Sequence, residues 1–341
     1  MIASGGRGRR ARISWALFDW AAQPLYTLLL TFIFGPYFVA RVAADAVQGQ
    51  SLWGAANAAA GIGIAVASPL LGAIADRGGN RKGWIALFSL AAVAGSALLW
   101  LAEPQAPGAV VWLVLAAFVV AALGVEYATV FTNSMLPDLA GPGKVGSLSG
   151  LGWGVGYVGG LVSLAIMLCF LVTDPQTGRT LAGLEPPSFL AGIPFAGDRA
   201  SGPFSALWYL VFVLPLFLFV PEARPQAGGG GVSLRRSFAD LVASLKSYGR
   251  GSPFLRFLVA RMIYADGLGA LFAFGGVYAA TTFGWGATEL GLFGILLTFT
   301  GAIGAVAGGR ADDRYGPRAV VVATLAALFA LAIAAFSTTR D

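Results

Sequence analysis

The sequence predicts an all-α protein that crosses a membrane many times. Of its 341 residues, 57% are hydrophobic and only 11% are charged, and the mean hydropathy is +0.77. A soluble protein of this length needs far more charge to cover its surface. The hydrophobic residues come in runs of about twenty or more, the length at which a helix crosses roughly 30 Å of hydrocarbon. The runs are rich in Ala, Leu, Val and Gly and lack the alternation of barrel strands, so helices are predicted.

Nine spanning helices are predicted from these runs. The first run is too long for the core of a signal peptide and has no obvious cleavage site, so we expect it to remain in the protein. The predicted spans lie at about residues 13–40, 52–75, 83–102, 109–134, 147–172, 204–220, 254–282, 288–308 and 319–337.

The order of the spans predicts four parts of the chain. Residues 1–12 are a basic tail that we expect to be disordered in the cytoplasm, and residues 13–220 form a six-helix N-terminal half. Residues 221–253 are a cytoplasmic linker, and residues 254–341 form a partial C-terminal half of three helices. Apolar residues at helical spacing over 233–248 predict an amphipathic helix on the membrane surface, and a plain linker between the halves is the alternative.

The basic residues predict the orientation. With the N-terminus inside, eighteen of the 22 Lys and Arg fall on the inner side, and Arg41, Arg179, Arg199 and Arg340 fall outside. The positive charge follows the membrane side and is not gathered into one patch, so a nucleic acid is not an expected partner. We expect a multi-pass protein in the lipid bilayer of the cell (inner) membrane, with its N-terminus in the cytoplasm.

Few residues could support enzyme or metal chemistry. The chain has no His, and its one cysteine, Cys169, lies inside an apolar run. This composition excludes an internal disulfide, imidazole proton relays and the usual zinc sites. No cofactor, metal or catalytic residue is predicted, and no nucleophile–base cluster indicates an enzyme. Any proton coupled to function would have to bind a carboxylate.

The fifth predicted span is rich in glycine. Gly154–Gly159 fits the dinucleotide-binding pattern G-x-G-x-x-G, but no strand precedes it and it lies inside a predicted span. Glycines also recur every fourth residue at Gly152, Gly156 and Gly160. That spacing is typical of a membrane helix that packs closely against a neighbour, which is the role we predict for these three residues.

One charged loop occurs twice in the chain. The first copy runs from Gly72 to Lys82 and the second from Gly309 to Arg318. Five residue types recur at a constant offset of 237 positions, which indicates two copies of the same loop in a duplicated protein. Gly72, Asp76, Arg77, Gly79 and Arg81 correspond in this way to Gly309, Asp313, Arg314, Gly316 and Arg318.

The residues of this loop predict a conformational latch at the inner membrane edge. Glycines permit a tight reversal of the backbone. Asp76 lies beside Arg77, Arg81 and Lys82, where partial desolvation strengthens charge pairing. Such charges would hold helix ends together in one conformation and release them in the other. Anchoring by the positive-inside rule is the alternative, but it accounts for Arg and Lys and not for the repeated Asp and Gly.

Three acidic residues, Asp19, Glu126 and Asp266, lie inside predicted spans. Each costs roughly 2.5–3.5 kcal/mol at the centre of a helix, which argues against accident. Helical spacing places Gln23 and Tyr26 on the face of Asp19, and it places Thr129 and Asn133 on the face of Glu126. The candidate substrate or proton site is therefore Asp19, Gln23, Tyr26, Glu126, Asn133, Arg261, Tyr264 and Asp266. The alternative is that the acids tie helices together, for example by pairing with Arg261.

The repeated loop resembles G-x-x-x-D-R-x-G-x-R, the hallmark of the major facilitator superfamily between helices 2 and 3 and between helices 8 and 9. Further segments resemble the branch that includes the autophagy-related vacuolar amino-acid effluxers and many bacterial relatives. These segments are Ser14–Ala21, Asn133–Asp138, Gly152–Gly160 and Phe257–Gly267.

The resemblance implies two six-helix halves around a central cavity that opens to alternate sides of the membrane. It implies that the first loop faces the positive end of helix 11 and that the second faces the start of helix 5, near Gly146–Ser149. The expected function is secondary transport of a small solute, such as an amino acid, with a proton or other ion as a candidate coupling partner. Because only three helices of the second half are predicted, we expect a fragment or a truncated product. A non-transporting scaffold or regulatory protein is the alternative function.

Overall fold

The structure is a computed structural model that describes residues 6–76, 80–174, 176–222, 243, 252–284 and 287–338. The described chain is a set of long helices, as the sequence predicts, and residues 171–195 form a long connection between two of them. The helices are α1 (Gly6–Pro24), α2 (Phe34–Tyr37), α3 (Ala46–Asp76), α4 (Arg81–Leu98), α5 (Gly108–Ser134), α6 (Leu136–Ala140), α7 (Val145–Phe170), α8 (Ala196–Phe219), α9 (Pro253–Phe283), α10 (Ala287–Tyr315) and α11 (Pro317–Thr338).

Eight helical stretches of the described chain are long and apolar enough to cross a membrane. The first of them, Gly8–Val42, is continuous from α1 to α2 and beyond because π-helical turns at Leu25–Phe32 and Phe38–Val42 extend it. These eight stretches correspond to eight of the nine predicted spans. The ninth prediction, at about 254–282, coincides with α9, a helix of 31 residues that is not among the eight stretches. The protein is therefore an all-α, multi-pass membrane protein.

The start of the chain differs from the prediction. The sequence predicts a disordered tail over residues 1–12, but α1 already begins at Gly6. Ala11 is buried, and Arg12 Nε donates a hydrogen bond to the Gly8 carbonyl oxygen, 3.3 Å away. Packing of Ala11 in the core thus stabilises two more helical turns than the hydropathy pattern shows. The amphipathic helix predicted over 233–248 lies outside the described residues, apart from residue 243.

The spanning helices pack in a chain of neighbours. α5 lies between α3 and α4, α4 also contacts α8, and α1 packs between α8 and α7. α7 also packs against α10, and α10 contacts α11. The largest fully buried side chains belong mainly to the first span and to α5, and they include Phe18, Phe34, Phe38, Phe118 and Phe131. The helix bundle has two ends. We call the one where α1 begins and α3 terminates the N-terminal end, and the one where α3 and α8 begin the distal end.

α7 approaches its two neighbours closely because two of its faces carry glycine. Gly152, Gly156 and Gly160 lie against α1, where a Cβ at Gly156 would meet the Cβ of Asp19 at 3.2 Å and a Cβ at Gly160 would meet Thr27 Oγ1 at 2.6 Å. Real Cβ atoms essentially never approach another atom closer than 3.0 Å. The side chains of α1 therefore occupy the space that larger residues of α7 would fill.

The second glycine face of α7 lies against α10. A Cβ at Gly146 would be 2.6 Å from the carbonyl oxygen of Gly309, and a Cβ at Gly154 would be 2.6 Å from Val306 Cγ2. Between them, a Cβ at Gly150 would meet the Ala305 carbonyl oxygen and would lie 3.1 Å from the Cα of Gly309. Gly150 and Gly154 each lie two positions from a glycine of the first face, which is about 200° of rotation around an α-helix. The two glycine faces therefore lie on opposite sides of α7.

We expect Gly150→Val to separate α7 from α10 and to destabilise the protein. The new side chain would meet the backbone of Ala305 and Gly309, and overpacking of this kind typically costs about 1–3 kcal/mol. The measurement is the thermal unfolding midpoint of the purified protein in detergent. Gly61→Val in α3 is the matched control, because a Cβ at Gly61 would meet nothing within 4 Å. Equal midpoints for the two variants would show that the contact does not limit packing.

Candidate functional site

A hydrogen bond joins the π-helical turns that follow α1 to the polar face of α5. Tyr26 OH donates to Glu126 Oε1 at 2.6 Å, and both residues are half-buried. A second contact holds the same helices together nearer the N-terminal end, where Trp15 Nε1 donates to the Thr132 carbonyl oxygen at 2.7 Å. The carboxylate of Glu126 thus lies within the bundle, in contact with a phenol from another helix.

Asp19 and Gln23 belong to the same face of α1 but lie against α7. The Asp19 side chain packs at Gly152 and Gly156, and the Gln23 side chain packs at Gly156 and Gly160. The predicted polar face is therefore shared between two neighbours, because α1 contacts both α5 and α7. Asp19, Gln23, Tyr26 and Glu126 form what we call the polar cluster.

The arrangement places two carboxylates, an amide and a phenol along one stretch of the first span, with Asp19 and Gln23 toward α7 and Tyr26 and Glu126 toward α5. Such a set can bind a cationic group or a proton, because carboxylates supply negative charge and the amide and phenol supply directed hydrogen bonds. Among the described residues, no group of three or more His, Cys, Asp or Glu side chains is placed to hold a metal ion.

Other members of the predicted site lie apart from the polar cluster. Asn133 is exposed, and Thr129 Oγ1 donates to the Val125 carbonyl oxygen of its own helix at 2.8 Å. On α9, the Arg261 guanidinium lies 4.5 Å from the ring centroid of Tyr264, and Arg261 and Asp266 are exposed.

The alternative that Arg261 ties an acid of the bundle in place finds no support. No ion pair between described residues joins Arg261 to Asp19 or Glu126. A role of Arg261, Tyr264, Asp266 and Asn133 in a substrate or proton site stays a prediction.

The first copy of the repeated loop binds the connection after α5. The Arg81 side chain is buried, and its Nη1 lies 2.7 Å from Asp138 Oδ2 while its Nε donates to the Ala75 carbonyl oxygen at 3.2 Å. Asp138 closes the segment Asn133–Asp138, which the sequence singles out only through the resemblance. Arg81 therefore fixes the end of α3, the start of α4 and α6 relative to one another.

Lys82 extends this contact to α8. Its Nζ donates to the Phe217 carbonyl oxygen at 2.8 Å, and its backbone N–H donates to Glu222 Oε1 at 3.2 Å. Arg77, Gly79 and the side chain of Asp76 lie outside the described residues, and a Cβ at Gly72 would meet nothing within 4 Å.

The second copy of the loop binds the start of α7. Asp313 Oδ1 accepts a hydrogen bond from the backbone N–H of Gly146, and Oδ2 accepts one from that of Ser147, each at 2.8 Å. The first N–H groups of a helix lack partners within the helix and carry partial positive charge, so a carboxylate is a favourable partner for them. This is the contact that the resemblance implies for the second loop.

The remaining residues of the second loop shape the end of α10. Gly309 approaches the Gly146 backbone, and Gly316 has a φ of +83°, which permits the reversal from α10 into α11. The Arg314 guanidinium lies 5.3 Å from the ring centroid of Tyr315, and Arg318 is exposed.

The glycine face of α7 against α10 is the main feature that the sequence interpretation missed. Gly146, Gly150 and Gly154 repeat every fourth residue, as do the three glycines singled out for packing, so the same spacing rule could have found them. The partner of Arg81 had no comparable signal, because Asp138 lies 57 residues away in an unrelated segment.

Comparisons with known proteins agree with this fold. A family profile described as "Vacuole effluxer Atg22 like" matches residues 39–338. YxiO of Bacillus subtilis (strain 168), an uncharacterised MFS-type transporter, is 27% identical over 263 residues, which are 76% of this chain and 57% of YxiO. The chain thus spans little more than half the length of this relative.

A solved structure shows the same architecture. XylE, a proton:xylose symporter of the major facilitator superfamily (MFS) with bound 6-bromo-6-deoxy-D-glucose, superimposes with a TM-score of 0.56. The match covers 91% of this chain and 69% of XylE at 16% sequence identity, so it supports the fold alone. With its helices, its repeated loop and a profile match over residues 39–338, the chain belongs to the Atg22-like vacuole effluxer family, with a major facilitator fold.

Proposed function

We propose that this chain acts in secondary transport of a small polar solute, and that the polar cluster binds the solute or a coupling proton. The observation that carries the proposal is the Tyr26–Glu126 hydrogen bond, on the same span as Asp19 and inside helices long and apolar enough to cross a membrane. Acidic residues at such depth are costly and usually mark a path for a substrate or ion. Membership of the effluxer family and the MFS-type relative support a transport role.

Amino acids are the solutes that we propose to test first. An ammonium group would complement the carboxylates of Asp19 and Glu126, and Gln23 and Tyr26 offer hydrogen bonds to a second polar group. A proton is the alternative occupant, since the chain has no His and only a carboxylate could carry it near neutral pH. The two occupants can share one cluster if they bind in turn.

We also propose that the N-terminal end faces the cytoplasm of a cell and that the repeated loop acts there as a latch. Arg81, Lys82 and Lys144 lie at this end, as the positive-inside rule requires. The Asp313 carboxylate holds α10 to the start of α7, and Arg81 holds α4 to α6. Release of these contacts would let the helices separate at this end while the distal end closes.

We expect Glu126→Gln to reduce transport at least tenfold, because the amide keeps the shape of the side chain and removes its charge. The measurement is the initial rate of uptake of a panel of radiolabelled L-amino acids into proteoliposomes that contain the purified 341-residue chain. Tyr26→Phe should reduce the rate less, since it removes only the hydrogen bond to Glu126.

Glu185→Gln is the matched control for this experiment. It makes the same chemical change at a side chain that is 83% exposed and outside the polar cluster, so its rate should equal that of the wild type. A chain that is stable in the membrane but moves none of the labelled solutes would contradict transport and would favour the scaffold interpretation. Equal rates for Glu126→Gln and the wild type would exclude the polar cluster from the process.

We expect Asp313→Asn to open the N-terminal end. The amide has one acceptor oxygen and no charge, so it loses one of the two hydrogen bonds to the start of α7 and the attraction to the helix dipole. The measurement is the distance between spin labels at Lys144→Cys and Arg318→Cys in a Cys169→Ser background, which should become longer and more broadly distributed.

The neighbouring acid provides the control for the latch. The Asp312 side chain also lies against Gly146, but its carboxylate accepts neither of the two hydrogen bonds that Asp313 accepts from the start of α7, so Asp312→Asn should change the distance distribution much less than Asp313→Asn. An identical response of the two variants would mean that Asp313 acts through general charge and not through its contact with Gly146 and Ser147.

A further inference from the structure

A cavity of about 650 Å³ opens at the distal end, away from the polar cluster. Its walls come from the end of the first span, from the end of α7 with the chain that follows it, and from the start of α8. Tyr37, in the cavity wall, lies eleven residues beyond Tyr26 along the first span, past the π-helical turns at Leu25–Phe32. Cavities of this volume are typical of sites for small molecules.

The walls combine charges of both signs with aromatic rings. Arg41, Asp174, Arg179 and Asp198 supply two positive and two negative side chains, and Tyr37 and Phe195 supply the rings. Two of the charges have partners outside the cavity wall: Asp174 Oδ1 accepts from the Gln176 N–H at 2.7 Å, and Arg179 donates to the Gly183 carbonyl oxygen at 3.0 Å and pairs with Glu185 at 3.8 Å. Arg41 and Asp198 have no such side-chain partner among the described residues, and they lie near enough to attract one another across the cavity wall.

Arg41 and Asp198 differ in setting. No ion pair between described residues includes either of them. Asp198 is half-buried in the first turn of α8, and the Arg41 guanidinium is exposed and lies 5.1 Å from the ring centroid of Phe195. One cavity thus presents one available negative group and one available positive group beside an apolar surface.

The backbone at the cavity wall is held in an unusual conformation. Phe195 has a φ of +51°, in the left-handed region that a bulky residue rarely adopts. Its ring lies 5.7 Å from that of Tyr37, whose hydroxyl donates to the Ala102 carbonyl oxygen at 2.6 Å. Strained residues persist where the surroundings hold them, and they often occur at ligand sites. The two rings therefore form a fixed wall.

We propose that this distal cavity binds a small zwitterionic solute, with its ammonium group at Asp198, its carboxylate at Arg41 and its apolar part against Tyr37 and Phe195. A ligand with one charge of each sign matches the two groups, whereas a simple cation would be repelled by Arg41 and a simple anion by Asp198. This site is separate from the polar cluster and does not require that the chain transports anything.

L-leucine, its methyl ester and N-acetyl-L-leucine are the probes that test the proposal. The ester keeps only the positive charge and the acetylated form only the negative one. The measurement is equilibrium binding of each radiolabelled compound to the purified 341-residue chain in lipid nanodiscs. We expect saturable binding of L-leucine that is at least tenfold tighter than that of either single-charge analogue.

Two variants test which residue of the cavity binds each charged group of the ligand. Asp198→Asn should weaken L-leucine and the ester at least tenfold and leave N-acetyl-L-leucine unchanged. Arg41→Gln should weaken L-leucine and the acetylated form and leave the ester unchanged. Because Arg41 is exposed, its variant keeps the test decisive if the Asp198 variant does not fold. Glu103→Gln, a change of charge at the same end in a side chain that is 67% exposed and outside the cavity wall, is the control and should bind all three probes as the wild type does.

Three outcomes would overturn the proposal. The first is the absence of saturable binding of any probe to the wild-type chain. The second is unchanged L-leucine binding in both Asp198→Asn and Arg41→Gln. The third is binding that survives these variants and disappears in Glu126→Gln, which would assign the ligand to the polar cluster. That last outcome would contradict the distal site and leave the proposed transport function intact.

Discussion

The close approach of α7 to both α1 and α10 is the constraint on which the rest of the structure depends. In a membrane, lipid chains are as apolar as the side chains of a helix, so helices associate mainly through packing and hydrogen bonds. Glycines on two opposite faces of α7 remove the side chains that would separate the backbones. On one side this leaves space for Asp19 and Gln23, and on the other it brings Asp313 to the first N–H groups of α7.

The two copies of the repeated loop use this architecture differently. The second copy binds backbone groups, because the Asp313 carboxylate meets the unpaired N–H groups of a helix start. The first copy binds through a side-chain pair, in which the buried Arg81 meets Asp138 and the end of α3. A carboxylate on backbone N–H groups requires a helix start at the correct place, whereas an Arg–Asp pair requires only two side chains within reach. Identical residue types at a constant offset therefore do not imply identical contacts.

Features that depend on one helix could be predicted from the sequence, whereas the identity of a neighbouring helix was predicted only where the family resemblance implied it, as for the second loop and the start of α7. Hydropathy runs gave the positions of the spans, and the repeated loop gave the family resemblance that the profile match confirms. Helical periodicity placed Asp19 and Tyr26 on one face but carries no information about the neighbour, so the division of that face between α7 and α5 was not predictable. The helix at residues 6–12 was missed for the same reason, since burial of Ala11 is a tertiary effect. The left-handed backbone of Phe195 has no sequence signal, because a bulky residue is among the least expected there.

The first span connects the two charged regions of the molecule, and its geometry determines how they are related. Asp19 and Tyr26 lie on or just after its α-helical part, whereas Tyr37 and Arg41 follow the π-helical turns at Leu25–Phe32. A π-helical turn holds more residues than an α-helical turn, so it changes which residues face a given neighbour further along the helix. These turns therefore set the direction of Arg41 relative to Tyr26. The polar cluster and the distal cavity share one span in this way, although no side chain belongs to both.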